Sequence, residues 1–214
     1  KKIFIDNFVV SNYNSSVVPG SGVNLNHFSY DKKEYFKNKE IIFLYLGRII
    51  KDKGMSEYFK AIETLKIDKF NIKFIFAGKI NNNNKSLNNK FNQLLKNNNV
   101  IFYKDILDVR KLLKESDCIV LPSYREGLSK SLLEASAIGR PLLVSDVPGC
   151  NDIVDDGVNG FLFQSKNYKS LQNCLIKFIN LPEEEKNLMA KNSYMQSSNF
   201  DENIIIDKYL QLIN

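Results

Sequence analysis

The chain has 214 residues, of which 43% are hydrophobic and 25% charged, and a formal net charge of +6. This is the composition of an ordinary soluble globular protein; it excludes low-complexity disorder, and the length suits one well-packed domain. The lysines are scattered and form no single basic block, which argues against nucleic acid. An anionic membrane surface or a phosphorylated substrate suits the charge better.

No apolar run approaches the roughly 20 residues of a membrane span, and no secretory cleavage pattern opens the chain. A soluble, cytoplasmic protein is therefore expected. Cys118, Cys150 and Cys174 lie far apart without a C-x2-C pair, and His27 is the only histidine. No metal cluster is expected from such a set. The odd cysteine count suits a reducing compartment, and Cys118, within an apolar run, has the character of a buried small hydrophobe.

In chain order, a strand is predicted at Ile41–Leu46 and a helix near Met55–Leu65, then a strand at Ile72–Ala77 and a helix near Leu87–Leu95. A strand at Val100–Tyr103 precedes a helix near Val109–Glu115, and a strand at Cys118–Leu121 precedes one near Ser129–Ile138. Strands at Pro141–Ser145 and Gly160–Phe163 lead to a helix near Tyr168–Ile179. Leu181-Pro182-Glu183 opens a further helix, and Asn203–Leu210 forms a terminal amphipathic one. The asparagine runs Asn81–Asn84 and Asn97–Asn99 are expected to be polar loops. Near-continuous apolar strands separated by amphipathic helices predict an α/β fold, a doubly wound, Rossmann-like parallel sheet with right-handed connections. Ligands in that architecture bind beyond the carboxyl ends of the strands, where Arg48, Gly78 and Glu126 all fall.

Behind the fourth strand runs Tyr124-Arg125-Glu126-Gly127-Leu128-Ser129-Lys130-Ser131-Leu132-Leu133-Glu134-Ala135. Glu126 falls in a short loop and Glu134 about one turn into the next helix, with Ser129 as the expected N-cap. A strand, a glycine-containing turn and a helix N-terminus make an anion site. The N–H groups of Gly127, Leu128 and Ser129 are expected to point at the anion, and the helix dipole favours negative charge. Glu134 can accept hydrogen bonds from a diol such as ribose, and Glu126 can reach a group beyond the anion. That describes a nucleotide diphosphate carrying a sugar. Arg48 and Lys53 follow the first strand; a guanidinium binds phosphate bidentately and an ammonium acts as a point charge. Alone they suit a solvated turn better, but beside Gly47, Gly54 and the two glutamates they point to phosphate. Lys51 is expected to be merely exposed, and His27 not to be catalytic.

Glu126-Gly127-Leu128-Ser129 followed by Leu132-Leu133-Glu134-Ala135 resembles the E-x7-E signature of the glycosyl transferases group 1, retaining enzymes of the GT-B fold. Gly20-Ser21-Gly22-Val23, with Phe28 behind it, and Gly47-Arg48-Ile49-Ile50-Lys51-Asp52-Lys53-Gly54 match the family in the expected order. Asp146-Val147-Pro148-Gly149 and Asp156-Gly157-Val158-Asn159-Gly160-Phe161-Leu162 fit too. Two glutamates alone would be weak evidence; motifs in order over nearly the whole chain are strong.

The resemblance implies the C-terminal half of a GT-B fold: one nucleotide-sugar-binding domain over residues 1–214, with 1–30 near an interdomain connection and a terminal helix at 201–214 that crosses back. The N-terminal acceptor domain is absent from this chain on that view. The resemblance makes Glu134 the ribose-binding glutamate and Glu126 the catalytic-site residue facing the donor sugar. Glu126 would act either as a nucleophile or, the favoured alternative, by positioning the sugar during front-side departure of the diphosphate. Arg48 and Lys53 would hold the diphosphate, Gly127, Leu128 and Ser129 would line it, and the Gly22 loop would border the cleft. The base would be met near Lys104-Asp105-Ile106, with UDP favoured over GDP, although Lys104 stands where glycine is usual. Asn24 stands where aspartate is more usual.

No Asp-x-Asp pair closes a strand, so no metal and no cofactor besides the nucleotide-sugar donor is expected. The whole enzyme would transfer a hexose or N-acetylhexosamine, from a donor such as a UDP-sugar, to a glycan or polyprenol-linked acceptor in bacterial surface polysaccharide synthesis. It would work at the cytoplasmic membrane face, peripherally associated, without nucleic acid. The alternatives are a sugar-nucleotide epimerase or phosphorylase on the same fold, or a non-catalytic Rossmann-like interaction module whose charges are only surface.

Overall fold

Six apolar runs become the strands of one sheet: β1 (Ile41–Leu46), β2 (Ile72–Gly78), β3 (Val100–Lys104), β4 (Cys118–Leu121), β5 (Leu142–Ser145) and β6 (Gly160–Phe163). They lie in the order β3-β2-β1-β4-β5-β6, and every adjacent pair is parallel. The computed structural model describes residues 20–33, 40–65, 70–80 and 84–213, with Asp6 and Ser11. The stretch before Gly20 expected near an interdomain connection, those two residues apart, and Asn81–Asn83 of the first asparagine run lie outside the described residues.

Central β4 and β5 are buried along their whole length, as strands covered on both faces must be, whereas edge strand β3 ends in exposed residues. Small shifts from the predicted bounds have local causes. β2 and β3 each run one residue further because Gly78 pairs with Lys104. β5 starts after Pro141, whose nitrogen carries no hydrogen, although its carbonyl accepts from the Ile119 N–H at 2.9 Å.

The helices are α1 (Met55–Thr64), α2 (Lys85–Leu94), α3 (Arg110–Glu115), α4 (Lys130–Ile138), α5 (Tyr168–Asn180), α6 (Glu183–Ser197) and α7 (Glu202–Ile213). The asparagine runs do more than fill loops. Asn84 caps α2 by accepting from the Leu87 N–H at 3.0 Å, and Asn97 Oδ1 accepts from the Asn99 N–H at 2.9 Å in an Asx turn. Over the β1–β2 side, Phe59 of α1 stacks on Phe91 of α2 with ring centroids 5.1 Å apart, and Phe76 of β2 meets the edge of both.

At the other side, Arg140 follows α4 and is fully buried. Its guanidinium donates to the carbonyls of Leu113 (2.9 Å), Asp31 (2.8 Å) and Lys114 (3.0 Å) and pairs with the Asp31 carboxylate. Ser193 of α6 donates to the Arg140 carbonyl at 2.7 Å, so one residue ties α3, α4, α6 and the segment around Asp31 together.

The Gly20–Asn24 segment meets the beginning of α7. Val23 N–H donates to Phe200 O at 2.8 Å and Glu202 N–H to Val23 O at 3.0 Å. The Asn24 amide donates to Glu202 Oε1 at 2.6 Å, which gives the unusual asparagine a reason: an aspartate would set two carboxylates against each other. In α7, Ile205 is buried while Ile204, Ile206, Tyr209, Leu210 and Leu212 are exposed. No helix among the described residues is long and apolar enough to cross a membrane.

Candidate functional site

β1 and β4 are sheet neighbours, yet the chain leaves β1 toward β2 on one side and β4 toward β5 on the other. This is the point where a doubly wound sheet opens a crevice beyond its carboxyl ends. Two loops enter it, one after each strand, and they are stitched to each other. After β1, buried Tyr45 donates its hydroxyl to the Arg48 carbonyl at 2.7 Å, and a 3-10 turn, Lys51–Lys53, ends at Gly54 with φ 68°. A Cβ on Gly54 would lie 1.9 Å from the Pro122 carbonyl oxygen, so only glycine lets this turn rest against the chain leaving β4. Tyr124 N–H then donates to Asp52 O at 2.9 Å, and its hydroxyl donates to Glu57 of α1 at 2.6 Å. The Lys166 ammonium stands 5.0 Å above the Tyr124 ring.

Between the loops is a cleft of about 380 Å³. Of the residues singled out from sequence, Arg48, Lys53, Glu126, Leu128, Ser129 and Glu134 line it. Lys53 Nζ meets Glu126 Oε1 at 2.5 Å, with the lysine side chain 22% and the glutamate 11% exposed. The resemblance gave these two separate ligand groups; here they partner each other across 73 positions of sequence. Arg48 is exposed at the rim, and Lys51 is exposed as expected. Glu134 looks in from α4. Burial raises its carboxyl above the usual range, opposed by the Lys130 ammonium 4.0 Å away.

Three expectations change. Gly22 does not line the cleft: it has φ +70°, and a Cβ there would lie 2.8 Å from the Phe200 carbonyl oxygen and the Glu202 Cα, so it serves the contact with α7. Gly20 of the same loop is the one that approaches the site, at 3.0 Å from Leu128 Cβ for an added Cβ. Gly127 is exposed and lies outside the lining; its carbonyl side faces Gly149, where a Cβ would come within 1.5 Å of Gly127 O. Ser129 occupies the N-cap position of α4 but makes no side-chain cap; its hydroxyl pairs with that of Ser131 at 3.2 Å. The first turn of α4 therefore turns uncapped toward the cleft.

Val109, Lys130 and Ser131 also line the cleft and were not singled out. Lys130 and Ser131 stood inside the quoted motif, and their place in the first helical turn was the available signal. Val109 carries none, since only the packing of the loop after β3 brings it there. Lys104, Asp105 and Ile106 lie outside the lining, and the left-handed position of that turn is held by Asp105, with φ 54°. Aspartate tolerates that conformation better than most residues, so no glycine is needed at Lys104.

The cysteines are free thiols: Cys118 and Cys150 are buried, and burial pushes Cys150 up to about 12 and Cys174 to about 11. They stay protonated and unreactive near neutral pH. His27 is exposed and packs edge-on to Phe28 away from the cleft. Among the described residues, no group of three or more His, Cys, Asp or Glu comes together to hold a metal ion.

The chain is 34% identical, over 98% of its length, to the N,N'-diacetylbacillosaminyl-diphospho-undecaprenol alpha-1,3-N-acetylgalactosaminyltransferase of Campylobacter jejuni, of which it covers 56%. It is 27% identical, over 75% of its length, to the capsular polysaccharide biosynthesis glycosyltransferase CapM of Staphylococcus aureus, of which it covers 44%. The chain thus spans about half the length of the curated relatives it matches. In fold it is similar to Staphylococcus aureus TarM, solved with fondaparinux, alpha-GlcNAc-glycerol and UDP, at a TM-score of 0.83, 20% identity, and coverage of 100% of this chain and 42% of that one. The family model described as glycosyl transferases group 1 matches residues 27–195, which include both glutamates of the cleft. The chain belongs to the glycosyl transferases group 1.

Proposed function

We infer that the cleft binds the diphosphate and ribose of a nucleotide-sugar donor, and that the chain is the donor-binding half of a retaining glycosyltransferase. The observation that carries this is the convergence of Arg48, Lys53, Glu126, the first turn of α4 and Glu134 on one cleft at the switch point of the sheet. When the bond from the sugar to the diphosphate breaks, negative charge builds on the departing phosphate. Cations fixed there stabilise the transition state more than the ground state. Arg48, Lys53 and the α4 N-terminus supply that charge, and the reading calls for no metal. Glu134, rising from the same helix, accepts hydrogen bonds from the ribose hydroxyls. The close pairing of Glu126 with Lys53 favours a positioning role over nucleophilic attack, since an ammonium-bound carboxylate is a weaker nucleophile.

The Campylobacter relative is named for transfer of N-acetylgalactosamine onto a diphospho-undecaprenol-linked acceptor, and TarM was solved with UDP. We therefore assign a UDP-hexose or UDP-N-acetylhexosamine donor and a lipid-linked or glycan acceptor in bacterial surface glycan synthesis. A lipid-linked acceptor places the work at the cytoplasmic face of a membrane, where a net charge of +6 favours peripheral attachment.

Calorimetric titration of the chain with UDP, GDP and ADP tests this. UDP is expected to bind in preference, and Glu134→Ala to weaken it about tenfold through loss of charge-assisted hydrogen bonds. Preference for GDP would overturn the base assignment alone; silence with all three would overturn the donor-site reading. A pH series adds a second check. Glu134 must be ionised to be the stronger acceptor, and burial holds its proton to a higher pH than usual. UDP affinity should therefore climb with pH through that raised titration, beyond the ligand's own phosphate titration, and Glu134→Gln should lose this component. Folding stability runs the other way: the neutral acid is favoured by burial, so the Glu134 contribution is full at acid pH and is lost as pH rises.

A further inference from the structure

Both glutamates of the cleft have a lysine beside them. Lys53 is shielded and bonded to Glu126 at 2.5 Å, whereas Lys130 stands 4.0 Å from Glu134 on a side chain 71% exposed. With its ammonium in solvent and 4.0 Å from the carboxylate, this i,i+4 pair adds little to stability. What the position offers is placement: Lys130 opens α4, and it lines the cleft with its neighbours Ser129 and Ser131 where the helix presents its uncapped turn. An anion seated there competes with Glu134 for the same ammonium. A diphosphate, with more charge and more acceptor oxygens than a carboxylate, is the stronger partner.

We propose that Lys130 is a third phosphate-binding cation of the cleft, exchanging Glu134 for the donor diphosphate, so that arrival of the anion releases Glu134 to take the ribose. This rests on the donor-site reading above and adds a coupling to it: the phosphate and ribose contacts form together. The charged groups around Glu134 are Arg48 after β1, Lys53 on the following turn, Glu126 on the loop after β4 and Lys130 on its own helix. Lys130 opposes the upward push of burial on the Glu134 carboxyl, so removing it leaves Glu134 protonated to higher pH.

The test compares the unsubstituted chain with Lys130→Met and Lys130→Arg, titrated with UDP by calorimetry and with uridine by NMR, or with GDP and guanosine if guanine is the preferred base. Both substitutes are good helix formers at an exposed position, so the fold is retained. At a pH where Glu134 is ionised, Lys130→Met should weaken UDP about fivefold while uridine binds at least as well, because Glu134 is then free of the ammonium without any phosphate. The acid limb of UDP binding should move to higher pH. Lys130→Arg should keep UDP affinity within about twofold of the original. Equal UDP affinity in Lys130→Met and the unsubstituted chain, or equal losses for UDP and uridine, would overturn the assignment of Lys130 alone. An unsubstituted chain that binds none of UDP, GDP and ADP would remove the donor-site reading and this assignment with it.

Discussion

Arg140→Leu is expected to lower the free energy of unfolding by about 3–5 kcal/mol, the range for breaking a buried ionic group from one side. The guanidinium is fully buried and satisfies the carbonyls of Leu113, Asp31 and Lys114 besides the Asp31 carboxylate. Leucine fills part of the volume but donates nothing, and each stranded buried carbonyl costs about 1–3 kcal/mol. Urea unfolding followed by circular dichroism reads the loss as a lower midpoint at unchanged slope. Asp31→Asn is the matched control. The amide oxygen of asparagine can still accept from Arg140, but the fully buried guanidinium loses its counter-charge, so a smaller cost of about 1–3 kcal/mol is expected. A loss under about 1 kcal/mol for Arg140→Leu would show that the surrounding carbonyls find other partners. Because Arg140 lies beyond the far end of α4 from Lys130, nucleotide affinity of the folded variant should be unchanged.

Gly149→Ala is expected to disturb the cleft from behind. Gly149 has φ +83°, and its added Cβ would lie 1.5 Å from Gly127 O and 2.8 Å from Glu126 O, both backbone atoms. No rotamer change relieves such a contact, so the loop carrying Glu126 must move outward and take the start of α4 with it. The combined strain and lost packing should cost about 2–4 kcal/mol, and UDP affinity should fall at least about tenfold. Gly157→Ala separates conformation from contact: it has φ +78° and nothing within 4 Å of its added Cβ. It should cost only about 1 kcal/mol of backbone strain and leave UDP binding intact. Equal behaviour of the two variants in stability and binding would falsify the claim that Gly149 sets the position of the Glu126 loop.

Much of the fold was legible because burial on both faces forces apolar runs that few other structures need. The six strands follow the predicted ones to within one residue at either end, and strands and helices alternate along the chain as predicted. The gathering of Arg48, Lys53, Glu126 and Glu134 at one rim was legible for the same reason, since each stands just after a strand or in the first turns of the following helix. Which glycine of Gly20-Ser21-Gly22 approaches the cleft was not legible. It depends on where the start of α7, some 180 positions away, presses on the loop. The empty cap of Ser129 escaped as well, because its hydroxyl had a second partner in Ser131 and local sequence does not rank the two.

By itself the sequence determined the six strands, their parallel doubly wound arrangement and the charges at their carboxyl ends, because periodicity and loop placement are local properties of the chain; the strand order came from the tertiary structure. Only the tertiary structure decided the partners. Lys53 with Glu126, Arg140 with Asp31, Asn24 with Glu202 and Gly149 against Gly127 each join segments that local preference leaves independent. Those pairings are settled by burial, where a charge must find a counter-charge and a backbone must find room.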